Sequence, residues 1–138
     1  MLSVRSPLTS AEEAIVNKTI GCGIEVHRVL GPGFRELIYE RAFALELESR
    51  GLKFECQKAI DVPYKEWRIP GQRIDLVVEQ VVIVEIKTVP RIKQLHRRQL
   101  VSYLRLRVGL LMNFNTTILK NGLVRVVHSP ANAPSRSL

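Results

Sequence analysis

Residues 73–87 read RIDLVVEQVVIVEIK, and the fold of the chain turns on how this stretch pairs with itself. Two β-branched runs, Ile74–Val78 and Val82–Ile86, flank the polar Glu79-Gln80, the pattern of a β-hairpin. Asp75, Glu85 and Lys87 interrupt runs that would otherwise be wholly apolar. Charges rarely enter the middle of a hydrophobic sheet unless they are paired or bind a metal. Side chains alternate faces along a strand, so Glu85 and Lys87 share one face. Asp75 joins them only in the register that pairs Val77 with Ile83 and Val78 with Val82, closed by the three-residue loop Glu79-Gln80-Val81. A two-residue loop would set Asp75 against Val84 and split the group, whereas three-residue hairpin loops are common. The expected register is therefore the odd one. Two carboxylates and an ammonium on one patch suit a hard divalent cation such as Mg²⁺, held by a few carboxylates, waters and a substrate phosphate. They equally suit a cross-strand ion pair on a solvated face, and the residues alone leave both open.

Upstream of the hairpin the spacing predicts two helices and a strand. Thr9 to Glu12 and Ser10 to Glu13 form overlapping capping-box patterns, so a helix starts here, after a loose tail over residues 1–9. Ile15, Thr19, Cys22, Val26 and Val29 then share a helical face, and Gly31-Pro32-Gly33 stops the helix. A second helix, about Glu36–Arg50, is expected to bury Leu37, Ile38, Ala42 and Leu45 and to end at Gly51. Glu36 in its first turn is favoured by the helix dipole alone. Leu52–Tyr64 alternates, with Leu52, Phe54, Cys56, Ile60, Val62 and Tyr64 on the inner side of a strand with one wetter face. Pro63, Pro70 and Gly71 punctuate the connection to the hairpin. Trp67 between them reads as cover for a core edge, with base stacking as the alternative.

Downstream, Pro90 precedes a third helix, about Arg91–Leu106. Ile92, Leu95, His96, Gln99, Tyr103 and Leu106 fall on its inner side, and Lys93, Arg97, Arg98 and Arg105 occupy the opposite arc. Gln99 in that stripe needs a partner, either backbone or the carboxylate cluster. Val108–Met112 is an apolar strand of the kind expected at a central position, Asn121-Gly122 signals a turn, and Leu123–Val127 is a last strand pairing with it. Residues 129–138 are expected to be a disordered tail, leaving one domain over residues 10–128.

Composition narrows the class of function. A 46% apolar and 25% charged chain of 138 residues is an ordinary globular domain, with no run long enough to span a membrane and no signal-peptide core. Cys22 and Cys56 have no metal-ligand spacing and read as reduced, partly buried thiols of a cytoplasmic protein. His27, His96 and His128 are too scattered for a zinc set. The net charge of +8 is unevenly placed: residues 1–85 hold 11 Lys/Arg against 13 Asp/Glu, whereas residues 86–138 hold 10 Lys/Arg and no acidic residue. Such one-sidedness points to a polyanionic partner, nucleic acid before an anionic membrane surface. The basic arc of the third helix lacks any compensating Glu, which favours phosphate contact over a merely solvated face.

The element order, with Asp75 ten residues before Glu85-Ile86-Lys87, resembles the PD-(D/E)XK nuclease superfamily. More closely, the chain is similar to the small GxxExxY family within it. The name motif stands as Gly33-Phe34-Arg35-Glu36-Leu37-Ile38-Tyr39 after Leu30-Gly31-Pro32. Further matches are Gln57, Gly71-x-Arg73-x-Asp75, Glu85-Ile86-Lys87, Gln99-Leu100, Tyr103-Leu104 and Gly109-Leu110-Leu111-Met112-Asn113-Phe114. The resemblance implies an α/β fold: a restriction-endonuclease-like α-β-β-β-α-β sandwich with a mixed central sheet flanked by helices. It implies a Mg²⁺-dependent nuclease, with Mn²⁺ as substitute, in which Asp75, Glu85, the Ile86 carbonyl and Glu36 hold the metal. Lys87 would orient the attacking water and balance charge on the scissile phosphate, with Gln99 near the site. Lys93, Arg97, Arg98, Tyr103 and Arg105 would contact nucleic acid, DNA ranked before RNA, in a homodimer. Two departures stand out: Leu104–Val108 runs into the next strand without the usual Gly-containing turn, and Arg97-Arg98 replaces an acidic-then-small pair. The alternative is a module on the same fold that binds nucleic acid or a partner without cutting.

Overall fold

The computed structural model describes residues 7–103 and 108–127. Helix α1 (Ser10–Leu30) starts where the first capping box predicts. The Thr9 hydroxyl accepts the Glu12 N–H at 3.1 Å, and the Glu12 carboxylate accepts the Thr9 N–H at 2.8 Å. It ends at Gly31, which takes φ +66° and returns its N–H to the His27 carbonyl at 2.7 Å. Val16, Thr19, Cys22 and Val26 are buried. Val29, expected among them, is exposed, and His27 is buried instead. In the last turn the cover lies on the His27 side, where the ring meets the Thr116 carbonyl and Phe114, and Val29 is roughly 160° round the helix from His27. Leu8, assigned to the N-terminal tail from the sequence, is buried against the core.

Helix α2 (Glu36–Ser49) corrects a second expectation. Its inner stripe is Tyr39, Phe43 and Leu47, four residues apart and fully buried. Leu37, Ile38 and Leu45, read as inward, are exposed. Two apolar stripes compete on this helix, and the one carrying two aromatic rings buries more surface.

Five strands form one sheet in the order β1 (Phe54–Tyr64), β2 (Trp67–Val78), β3 (Val82–Lys87), β4 (Val108–Asn113), β5 (Leu123–Val127). All neighbours are antiparallel except β3 and β4, which run parallel and are therefore joined by a crossover through α3 (Gln94–Tyr103). The β2–β3 register is Val77 to Ile83 and Val78 to Val82, as the placement of the charged residues requires. Helices α1 and α2 pack on one face, over Leu76, Val78, Val82, Val84, Ile86, Leu110 and Met112. Helix α3 packs on the other through Leu100, over Ile74, Val77, Ile83 and Leu111. A Cβ on Gly109 of β4 would come within 2.8 Å of Leu100 Cδ1, so the glycine gives α3 its seat. No helix among the described residues is long and apolar enough to cross a membrane.

Three further expectations change. Helix α3 starts at Gln94 rather than Arg91, and its face is rotated: Leu100 is buried and His96 half-buried, while Leu95 and Gln99 are exposed. Gln99 therefore does not sit in a buried stripe. The Tyr103 side chain, Arg105 and the departure at the helix–strand junction lie outside the described residues, as do residues 1–6 and 128–138. In β1, Cys56, Val62 and Tyr64 are exposed rather than inward: β1 is the edge strand of the sheet, and Val62 and Tyr64 lie beyond the reach of β3, where only β1 and β2 continue. Trp67 is exposed as well and covers no core edge.

Candidate active site

The regular β2–β3 ladder stops at Leu76 and Val84, and beyond it the two strands are bridged by side chains. The Asp75 N–H donates to Glu85 Oε1 at 3.2 Å, and the Ile86 N–H donates to Asp75 Oδ2 at 2.9 Å. Each carboxylate thus caps a backbone donor that the parting strands would leave unmatched. This places Asp75 and Glu85 side by side, as the odd register predicts. Glu85 is 8% exposed, Asp75 and Lys87 half-buried. Burial pushes the Glu85 carboxyl up to about 8, the Asp75 charge adds to the rise, and the Asp75 N–H and the Lys87 ammonium oppose it.

Ile86 directs its N–H toward β2, whereas the Lys87 carbonyl accepts the Phe114 N–H on the β4 side at 2.9 Å. In a strand the N–H and C=O of one residue point the same way. The Ile86 carbonyl therefore faces the side on which Asp75 lies.

Helix α2 brings a second pair of carboxylates. Glu36, in its first turn, is exposed and accepts the Thr88 N–H at 3.3 Å, directly after Lys87. Glu40, one turn on, accepts from Gln57 Nε2 at 2.7 Å, and the same amide lies 3.4 Å from Asp75 Oδ1. Desolvation raises the Glu40 pKa; the Gln57 hydrogen bond opposes that, and the Asp75 charge adds to it. Gln57 takes φ +51° in mid-strand, a costly conformation for a residue with a side chain, as it makes this bridge. Glu40 was missed in the sequence, although its spacing from Glu36 puts both on one face of α2. Gln57 stands in the family pattern, but nothing in its local spacing marks it as a bridge to α2.

Two buried residues hold the frame. Tyr39 donates its hydroxyl to the Gly31 carbonyl at 2.5 Å and accepts the Phe34 N–H at 3.2 Å, with its ring stacked on Phe114 at 4.6 Å. It ties down the loop that leads into Glu36. Asn113, opposite Lys87 in the ladder, accepts the Val89 N–H at 3.1 Å and donates to the Val89 carbonyl at 2.8 Å. That anchors the chain just beyond Lys87. Gln99, Arg97, Arg98 and Lys93 are exposed on or just before α3. A cavity of about 370 Å³ near the Glu79-Gln80 turn, lined by Lys53, Phe54, Glu55 and Val77, contains none of these carboxylates.

The donor set is one for a hard cation. Among the described residues, no group of three or more His, Cys, Asp or Glu side chains is gathered so as to hold a metal ion by itself. Two adjoining carboxylates, Asp75 and Glu85, with a carbonyl aimed the same way, fit an ion that keeps several waters and binds substrate phosphate. A closed structural metal site would need more side chains.

A mixed sheet between α1/α2 and α3, with an acidic pair and a lysine where two strands part, defines a restriction-endonuclease-like fold. The PD-(D/E)XK nuclease superfamily model matches residues 13–126, and the chain belongs to that superfamily. No curated protein and no solved structure matches it significantly.

Proposed function

We propose that this protein is a Mg²⁺-dependent nuclease of the GxxExxY type that hydrolyses DNA phosphodiesters, structure-selectively, as a homodimer. The observation that carries the reading is the Asp75–Glu85 pair. Two carboxylates held together, one of them buried, are unfavourable without a cation or a proton between them. Asp75, Glu85 and the Ile86 carbonyl would hold the metal, with Glu36 near it from α2. Bound there, a divalent cation lowers the pKa of a water and stabilises charge developing on the phosphoryl group.

The chain's own residues do the rest. Gln57 orients Asp75 and shares its amide with Glu40, so Asp75 keeps one rotamer. Lys87, on the Glu85 face, holds the attacking water and places a positive charge against the phosphate oxygens. Asn113 and Tyr39 fix the segments that carry Lys87 and Glu36. Arg97, Arg98 and Lys93 give the nucleic-acid backbone a basic surface.

The test is a cleavage assay with single-stranded, duplex and four-way-junction DNA and with RNA, in Mg²⁺ or Mn²⁺. Lys87→Ala is expected to lose about 10²-fold or more in rate while still binding metal. Salt-sensitive binding without cutting by the wild-type protein in either metal would replace this reading with that of a non-cleaving binding module.

A further inference from the structure

Strands β1 and β2 continue as a two-stranded arm well past the point where β3 ends its pairing with them. Every residue from Asp61 to Gly71 is exposed. At the tip Tyr64 pairs with Trp67, and Val62 pairs with Ile69. Directly opposed residues share a face, so these four side chains line one side of the ribbon. They are 43% to 58% exposed, and the Tyr64 and Trp67 rings are stacked with centroids 6.5 Å apart. Lys65, in the turn, lies 5.4 Å from the centre of the Tyr64 ring. Between Lys58 and Arg73 the arm holds four basic and two acidic residues. At its root stand Gln57 and Asp75, the bridging amide and a site carboxylate.

We propose that this arm is a nucleic-acid contact in which the Tyr64–Trp67 pair stacks on an unpaired base. Three observations favour that occupant. Flat rings beside cations accept any base through its π-face, while lysine and arginine meet the phosphates. The ribbon leaves the sheet at the carboxylates, so a strand engaged there runs on to the tip. Half-exposed side chains of this number offer on the order of 400 Å², against about 800 Å² that each partner buries in a stable protein interface. A second copy is therefore the poorer fit. The eight residue-to-residue steps from Trp67 to Asp75 span about 26 Å, or roughly eight nucleotides of stacked strand. The proposal extends the nuclease reading, whose substrate it would hold, but it is tested apart from cleavage.

Trp67 is the only tryptophan, so its fluorescence reports the tip directly. The experiment is a titration of the full chain in EDTA with single-stranded and four-way-junction DNA, single-stranded RNA and blunt duplex. Trp67 fluorescence is expected to be quenched by substrates with unpaired bases and much less by duplex. Trp67→Ala is expected to weaken binding about tenfold at an unchanged melting temperature, and Trp67→Phe to restore most of it. Shortening the single strand from about 20 to about 5 nucleotides is expected to abolish the difference between Trp67→Ala and wild type. Unchanged fluorescence, equal affinity of Trp67→Ala, or no binding to any of these nucleic acids overturns the arm contact. So does sedimentation showing that Trp67→Ala only dissociates a dimer. Cleavage by a protein whose Trp67 proves irrelevant would leave the nuclease reading standing. Quenching and binding without cutting in any metal would leave the arm and remove the nuclease.

Discussion

Glu85 is held at 8% exposure beside a second carboxylate, and its pKa of about 8 follows from that position. The ordinary value of 4.5 applies to the unfolded chain, so the metal-free folded protein binds an extra proton between about pH 4.5 and pH 8. The sign follows: the contribution of this proton to stability is complete below about pH 4.5 and is lost as pH rises through about 8. On the proposed reading a cation would take the place of that proton, so metal affinity should rise over the same interval and binding should release protons. The rise in melting temperature on adding millimolar Mg²⁺ or Mn²⁺ is thus expected to be small near pH 6 and large near about pH 8.5. Glu85→Gln should lose both the metal effect and this part of the pH dependence. A metal-induced shift of equal size at every pH would show that Glu85 does not meet the cation.

Helix α3 and strand β4 meet closely where Leu100 lies over Gly109, and this contact helps set how the basic helix lies on the sheet. Gly109→Ala drives a methyl to within 2.8 Å of a fully buried leucine that has little room to move. It is expected to cost about 1–3 kcal/mol. In the Leu100→Ala background the same change should cost much less, and a denaturation cycle of the four proteins measures the coupling. Additive losses would mean that the helix seats elsewhere. Elements differ in how far they were legible. The β2–β3 register could be read because period-two alternation and the charges Asp75, Glu85 and Lys87 admit one consistent solution. The faces of α2 and α3 could not. Apolar residues lie at 37, 38, 39, 42, 43, 44, 45 and 47 in α2, almost around the helix, and only packing against the sheet selects Tyr39, Phe43 and Leu47. Likewise α3 turns Leu100 inward and leaves Gln99 out, because Gly109 opens a space where Leu100 fits. In the candidate site, Asp75, Glu85 and Lys87 stand out in the sequence as charges within apolar strands, whereas Glu36 is accounted for by the helix dipole and enters only through the family resemblance. The Glu40–Gln57 bridge joins a helix to a distant strand, and no local spacing encodes it.

Across the whole molecule, the positive charge is separated from the acidic site along the chain. The carboxylates come from residues before Ile86, and the 53 residues from there on contain no acid. The proposed nucleic-acid partner would thus be drawn to the second part of the chain, where Arg97, Arg98 and Lys93 are exposed on or just before α3. On the proposed reading, the charges of Glu36 and Asp75 would repel its phosphates until a cation intervenes. Phosphate contacts release counterions, so the logarithm of affinity should fall linearly with that of salt concentration, with a slope near −0.9 per contact on duplex DNA. Arg97→Ala combined with Arg98→Ala is expected to lower that slope by about 2 and to weaken binding alike for every sequence. Both side chains are exposed, so the melting temperature should hardly change. Anisotropy titrations over about 50–200 mM salt decide the matter. An unchanged slope would take α3 out of the nucleic-acid surface and leave the arm and the segments around the carboxylates as the path of the strand. Adding Mg²⁺ to a Lys87→Ala protein should strengthen binding at fixed ionic strength, because the ion relieves the repulsion between acidic site and phosphate. If that gain is absent while the Arg97 and Arg98 effect is present, the polyanion is held on the basic side of the molecule without entering the carboxylate site.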